Sequence, residues 1–391
     1  MLRKGTFILM KTKIQDMTSG SPGRLIILFA IPLMLGNICQ QLYTMVDTMV
    51  VGQVAGVEAL AALGAVDFLM WVVTGISTGL TQGFSIQLSQ YYGAKDFENL
   101  RKSLAHSYRL TAFIAAGVLI LSQSFASLVL TGLHTPSNII GMSLLYLRII
   151  FCGIPATAAY NMFASALRAM GNSKTPLTAM IIASVLNVSL DILFVAGFGW
   201  GVAGAAIATV IAQSFSAVYC FLILRRIDIV HLTRADFMPA SGMNARLMKL
   251  GIPVVFQNII IGVGGLVVQY VINGYGFLFV AGFTATNKLY GLLEMAAISY
   301  GYAIVTYVGQ NLGAGKIDRI RKGVRSSMLL SLLTSLIISA AMFLFGKNIL
   351  SLFISGEPQQ TQQVLAIAFK YLSIMACLLY TSPSPRDTER S

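Results

Sequence analysis

Ten long apolar segments dominate the sequence, and each is long enough to cross the hydrocarbon core of a bilayer, which takes about 20 helical residues. Bounded by glycine, proline or charged residues, they run over 24–51, 57–88, 104–131, 138–166, 175–198, 202–224, 247–272, 277–308, 324–346 and 362–380. Only 10% of the 391 residues are charged. A soluble domain has about 25%. The pattern excludes a soluble enzyme and predicts an all-α polytopic membrane protein.

Lysine and arginine are concentrated in every second connection. They cluster before the first segment and within 95–109, 168–174, 225–249 and 316–325, whereas 52–57, 132–137, 198–201 and 273–276 contain none. Connections rich in positive charge stay in the cytoplasm. We therefore expect a cytoplasmic N-terminal segment, 1–23, in a protein of the cell inner (plasma) membrane. The net charge of +13 then reflects membrane topology and not nucleic-acid binding.

An internal repeat divides the chain into two halves. Ile31-Pro32 recurs 221 residues later as Ile252-Pro253, and Arg101-Lys102 recurs 220 residues later as Arg321-Lys322. Both halves begin on the same side of the membrane, which predicts parallel repeats related by an axis along the membrane normal. The expected fold is two pseudo-symmetric six-helix lobes.

The repeat also predicts where the lobes begin and end. We expect a first lobe over 24–224, a cytoplasmic linker over 225–246 and a partial second lobe over 247–380. By the same offset, a full second lobe would end near residue 445. The expectation is a C-terminally truncated chain that lacks two helices, with 381–391 as an unrelated tail.

The sequence offers little for catalysis, metal binding or disulfide formation. All four cysteines lie in apolar segments without a C-x-x-C pair, and the three histidines are far apart. The phosphate-binding pattern G-x-x-x-x-G-K-[ST] is absent. We expect no enzyme activity, no cofactor and no metal beyond a coupling Na⁺, and a monomer without a nucleic-acid partner.

Acidic residues inside the apolar segments need a reason, because an ionised side chain at the bilayer centre costs about 2.5–3.5 kcal/mol on insertion scales. Asp47 lies seven residues after Gln40 and four after Tyr43, so the three share one helical face. Asn187 and Asp191, four residues apart, share a face of the fifth segment. Such groups suit a shared proton or a small cation, and Thr209 in the sixth segment could add an oxygen ligand. The alternative is that both acids lie at helix ends and are solvated.

Three further residues stand out. Pro32 lies inside the first segment and removes a backbone hydrogen bond there, so it marks either a hinge or a static kink. Asp67 and Lys288 occupy nearly equivalent repeat positions, 221 residues apart. We predict that they form an ion pair between the lobes.

Several motifs together resemble those of the multidrug and toxic compound extrusion family. They are IPLMLGNICQQLYTMVDTMVVGQ, ALRAMGNSKTP, VLNVSLDILF with GVAGAAIAT, and YVGQNLGAGKIDRIRKG. The position of the acids resembles the DNA-damage-inducible branch. The resemblance implies a two-lobe, alternating-access antiporter that exports cationic or amphiphilic compounds in exchange for H⁺ or Na⁺. It implies a cation-coupling site at Asp47, Asn187, Asp191 and Thr209, a drug cavity at Gln40 and Tyr43, and a bending helix at Pro32.

Three alternatives stay open. A flippase for lipids or lipid-linked oligosaccharides would share the lobes but should have a more basic cavity. A membrane-embedded transferase would need an acidic D-D-x-x-D or similar cluster, which the sequence lacks. A channel would need a selectivity filter, and no segment resembles one.

Overall fold

The computed structural model describes residues 14–133, 135, 137–273, 277–351 and 358–378, and the regular elements within them are all helical. Twelve α-helices are present there: α1 Pro22–Val54, α2 Val57–Gly64, α3 Asp67–Gly93, α4 Phe97–Gly132, α5 Ile140–Cys152, α6 Ile154–Ala169, α7 Lys174–Asp191, α8 Gly201–Leu224, α9 Met243–Asn273, α10 Phe277–Gly313, α11 Ile317–Ser351 and α12 Pro358–Leu378. The predicted all-α membrane fold is confirmed. The predicted tail, 381–391, lies outside the described residues.

Two predicted spans are bent pairs of helices. Segment 57–88 divides into α2 and α3, and segment 138–166 divides into α5 and α6 with a bend of 46°. Pro155 explains the second bend, because proline has no N–H and its ring would clash with the carbonyl group four residues earlier. Within the described residues, six single helices are long and apolar enough to span a membrane, or eight spans if each bent pair counts once.

The two halves meet along five helices. α3 packs against α9 and α10, while α1 packs against α10 and α11. At one end of this interface, a Cβ at Gly93 would overlap the carbonyl oxygen of Gln310, and a Cβ at Gly313 would overlap that of Gln90. These two contacts are related by the 220-residue repeat. Only glycine permits the backbones of α3 and α10 to approach this closely.

The N-terminal strap, residues 14–20, crosses the same end of the helix bundle. The Gln15 N–H donates to the Gly171 carbonyl oxygen (3.2 Å) of the first half. The Met17 N–H donates to Gln310 Oε1 (3.0 Å) of the second half, and the Met17 side chain is fully buried. Arg319 donates from Nη1 to the Gly20 carbonyl oxygen (2.9 Å). The strap therefore joins both halves, and we call this the strap end of the bundle.

The predicted linker packs on the first half and does not extend away from it. The Arg109 guanidinium donates to the Phe237 carbonyl oxygen (2.8 Å), and Asp236 lies 3.8 Å from the Arg101 guanidinium. His106 Nδ1 is 2.7 Å from Asn244 Oδ1. Because α3, α10 and the strap meet here too, basic residues from several connections share the strap end, as the alternating charge pattern predicted.

Candidate functional site

A cavity of about 520 Å³ lies between the halves, and nearly all of the described residues that line it belong to the first half. Its size is in the range of small-molecule sites. Six of the residues singled out in the sequence line it: Pro32, Gln40, Tyr43, Asp47, Asp67 and Thr209. The structure therefore gathers most of the predicted drug-cavity and coupling residues around one space, and their roles stay predictions.

One face of α1 forms a wall of the cavity. Gln40, Tyr43 and Asp47 line it as their spacing predicted. Gln213 Nε2 from α8 donates to the Tyr43 hydroxyl oxygen at 3.4 Å, a long hydrogen bond. The Asp47 side chain is buried, with 6% of its surface exposed, and its Oδ1 accepts no hydrogen bond from the described residues. A buried acceptor without a protein donor is open to a proton, a cation or water.

Asn187 and Asp191 lie behind this wall and not on it. Both are fully buried in the first half. Asn187 Nδ2 donates to Thr209 Oγ1 (3.4 Å), so α7 and α8 are joined as the sequence suggested. Among the described residues, no donor reaches either Asp191 oxygen or Asn187 Oδ1. Full burial argues against the alternative in which Asp191 is solvated at a helix end.

Asp191 lies at a break in helical geometry. α7 ends there, and the chain continues as a π-helical turn over Ile192–Gly197 before α8 begins. Single π-helical turns are rare in proteins. Those that occur inside α-helices are often found at functional sites. The turn contacts α1 as well as α7 and α8, so a change at Asp191 is structurally connected to the cavity wall.

Like charges are concentrated in this region. Asp47 interacts electrostatically with both Asp67 and Asp191. Three carboxyl groups near one another in an apolar surrounding repel when ionised, which favours uptake of a positive species. Asp47, Asp191, Asn187 and Thr209 offer carboxylate, amide and hydroxyl oxygens as acceptors, and the Asn187 amide and Thr209 hydroxyl groups as donors. These groups fit H⁺ or a hard cation such as Na⁺. Within the described residues, no group of three or more His, Cys, Asp or Glu side chains is arranged to hold a metal ion.

Pro32 lies toward the strap end of the cavity, within the continuous helix α1. The predicted partner of Asp67 cannot be placed, because the Lys288 side chain lies outside the described residues. The ion pair between the lobes stays a prediction.

Sequence reasoning missed several cavity residues. Arg168, Trp71 and Tyr302 line the cavity, and among the described residues Tyr302 is the one lining residue from the second half. Arg168 had been assigned to topology because it belongs to a basic connection. Gln213 could have been found, since it lies four residues after Thr209 and therefore on the same helical face.

Comparison with known proteins identifies the fold and the family. The MatE family profile matches residues 32–193 and 253–382. The probable multidrug resistance protein YpnP of Bacillus subtilis (strain 168) is 31% identical, over 92% of this chain and 81% of that protein. The probable multidrug resistance protein NorM of Thermotoga maritima is 26% identical, over 85% of this chain and 72% of that protein.

Solved structures agree with the described fold. A MOP superfamily transporter from Pyrococcus furiosus Vc1 (DSM3638) gives a TM-score of 0.89 at 23% identity, over 95% of this chain and 82% of that one. An outward-facing multidrug resistance MATE family transporter gives a TM-score of 0.88 at 22% identity, over 95% of this chain and 82% of that one. Because the MatE profile matches more than half of the sequence, this chain belongs to the MatE family.

Proposed function

We propose that this protein is a multidrug exporter that acts as a monomer and exchanges cationic or amphiphilic compounds for H⁺ or Na⁺. The observation that carries the proposal is the buried Asp47 carboxylate beside the cavity, with Asp191 and Asn187 directly behind it. Relatives named as multidrug resistance proteins support efflux over the flippase alternative. The proposed location is the cell inner membrane, and the distribution of basic residues supports a cytoplasmic N-terminus.

The coupling follows from competition for the same negative charge. A cationic substrate in the cavity is attracted by Asp47 and Asp67 while these are ionised. When H⁺ or Na⁺ neutralises Asp47 and Asp191, that attraction is lost and the repulsion between them disappears. α1 then changes shape at Pro32, where one backbone hydrogen bond is missing, and the cavity releases its substrate. Each positive charge that moves inward gains about 2.3 kcal/mol per 100 mV of membrane potential.

Transport in inverted membrane vesicles tests this proposal. Ethidium uptake is followed by fluorescence while a pH gradient and a Na⁺ gradient are imposed in turn, and one of the two is expected to drive uptake. Asp191→Asn should abolish gradient-driven uptake, whereas Asp228→Asn, which changes an exposed carboxylate of the linker, should not. Full coupled uptake by Asp191→Asn would refute the coupling site.

Orientation is tested separately. Ser19 is exposed in the strap. A cysteine at this position, in a background without native cysteines, should react with an impermeant maleimide in inverted vesicles and not in intact cells. Labelling in intact cells would reverse the proposed topology.

A further inference from the structure

Among the described residues that line the cavity, the charged ones are Asp47, Asp67 and Arg168, and Arg168 is the one that is positive. Arg168 is the last-turn residue of α6 that lines the cavity, and a helix C-terminus favours a positive charge there. This charge does not help the cavity to bind a purely cationic compound, because the guanidinium repels such a substrate. The positive charge of Arg168 therefore needs an explanation other than the binding of a cation by Asp47 and Asp67.

The guanidinium is held in a fixed orientation and keeps unused donors. Its Cζ lies 4.9 Å from the centre of the Tyr302 ring, and its Nη2 donates to Ser165 Oγ at 2.8 Å. An arginine has five N–H donors. In the part of the chain that the structure describes, no carboxylate oxygen lies within 4.0 Å of it. A half-buried guanidinium that is oriented and has no counter-ion among the described residues is suited to a carboxylate, sulfonate or phosphate group.

Arg168 and the acids lie toward opposite ends of the cavity. Arg168 precedes the connection to α7 at the strap end, where Ala169 and Gly171 contact Gln310 and the strap. Asp67 begins α3 at the other end, and Asp47 lies late in α1. Along α1 the cavity extends from Pro32 to Asp47, about 22 Å at 1.5 Å per residue. The cavity is thus polarised along its length, negative at one end and positive at the other.

We propose that Arg168 is a specificity-determining residue that binds an anionic group of the substrate, and that the cavity accepts zwitterionic amphiphiles. The cationic part of such a molecule lies toward Asp47 and Asp67, its anionic group binds the Arg168 guanidinium, and its apolar body lies between them against Trp71 and Tyr43. Tyr302 keeps the guanidinium in place from the second half. This inference rests on the proposed function, since it assumes that the cavity holds the transported compound.

A pair of dyes that differ in one charge tests the inference. Rhodamine B carries a delocalised cation and a free carboxylate, and its ethyl ester keeps the cation but lacks the negative charge. Binding of each dye to the purified protein is measured by fluorescence polarisation for the wild type, Arg168→Gln and Arg168→Lys. Arg148→Gln is the matched control, because Arg148 is exposed and does not line the cavity.

Arg168→Gln should weaken rhodamine B binding at least 10-fold, about 1.4 kcal/mol, and should change ester binding less than 2-fold. Rhodamine B binding by Arg168→Lys should be intermediate between that of the wild type and that of Arg168→Gln, because lysine keeps the positive charge but lacks the paired N–H donors of the guanidinium. Arg148→Gln should change neither dye. The difference between the dyes is the readout that a structural role for Arg168 would not produce.

Equal losses for both dyes in Arg168→Gln would overturn the inference and leave the proposed function standing. Unchanged binding of rhodamine B in Arg168→Gln would overturn it in the same way. If neither dye bound the wild-type protein, the proposed function and the inference would both fail.

Discussion

The glycine contacts at the strap end allow a quantitative test of how the two halves separate. In Gly313→Ala, the added methyl group overlaps the Gln90 carbonyl oxygen, which belongs to the backbone and cannot rotate away. α3 and α10 must move apart. Overpacking of this kind costs about 1–3 kcal/mol. The cost falls only on states in which this end is closed, so the closed-to-open ratio should drop by a factor of about 5–150.

Distances between spin labels measure that ratio. Glu98 and Asp318 are exposed, related by the 220-residue repeat, and located just beyond α3 and α10. Labels at these positions should report a longer distance in a larger fraction of Gly313→Ala molecules than of wild-type molecules. Double electron–electron resonance resolves the two populations.

Gly301→Ala is the matched control. Gly301 lies in the same helix, and a Cβ there would meet no atom within 4 Å. Both substitutions remove a glycine from a helix, so they share the effect on backbone entropy. Indistinguishable distance distributions for Gly313→Ala and Gly301→Ala would refute the argument that the close approach holds this end shut.

Three other substitutions have defined outcomes. Asp47→Asn should weaken ethidium binding at least 10-fold in a fluorescence titration, since it removes a buried carboxylate from the cavity wall; unchanged affinity would separate Asp47 from the substrate. Tyr43→Phe removes the hydroxyl group that accepts the long 3.4 Å hydrogen bond from Gln213, so ethidium transport should stay within about threefold of wild type, and a larger loss would show a direct role for the hydroxyl group. Met17→Ala empties a fully buried position and should weaken strap docking by about 2–5 kcal/mol, seen as faster hydrogen exchange over residues 14–20; wild-type exchange would contradict the burial argument.

Periodicity predicted the elements that depend on local pattern. Ten apolar segments and the face shared by Gln40, Tyr43 and Asp47 follow from the lengths and spacings in the sequence alone. The bend between α5 and α6 was also present in the sequence, as Gly153-Ile154-Pro155, but an uninterrupted apolar segment concealed it. The local sequence pattern does not distinguish a bent pair of helices from one continuous helix, because both bury the same apolar residues.

Properties that depend on long-range packing could not be predicted. The spacing of Asn187 and Asp191 predicts a shared helical face but not that this face lies behind the cavity wall, since the path of the π-turn decides which way the end of α7 faces. Arg168 looked like a topology signal, because a basic connection satisfies the charge rule whether or not its side chain reaches the cavity. The strap gave no signal, because its partners, which include Gly171, Gln310 and Arg319, are far away in sequence.

That distance in sequence matters for how the protein is made. Met17 and Gln310 are 293 positions apart, and the Arg319 contact with Met17 spans 302. During synthesis at about 5–20 residues per second, the strap therefore waits about 15–60 s before its partners leave the ribosome. The first eight helices have all been synthesised before these partners of the strap are made. Closure of the strap end is thus a late event in biogenesis, and a fusion partner placed directly before the strap would be present throughout that interval.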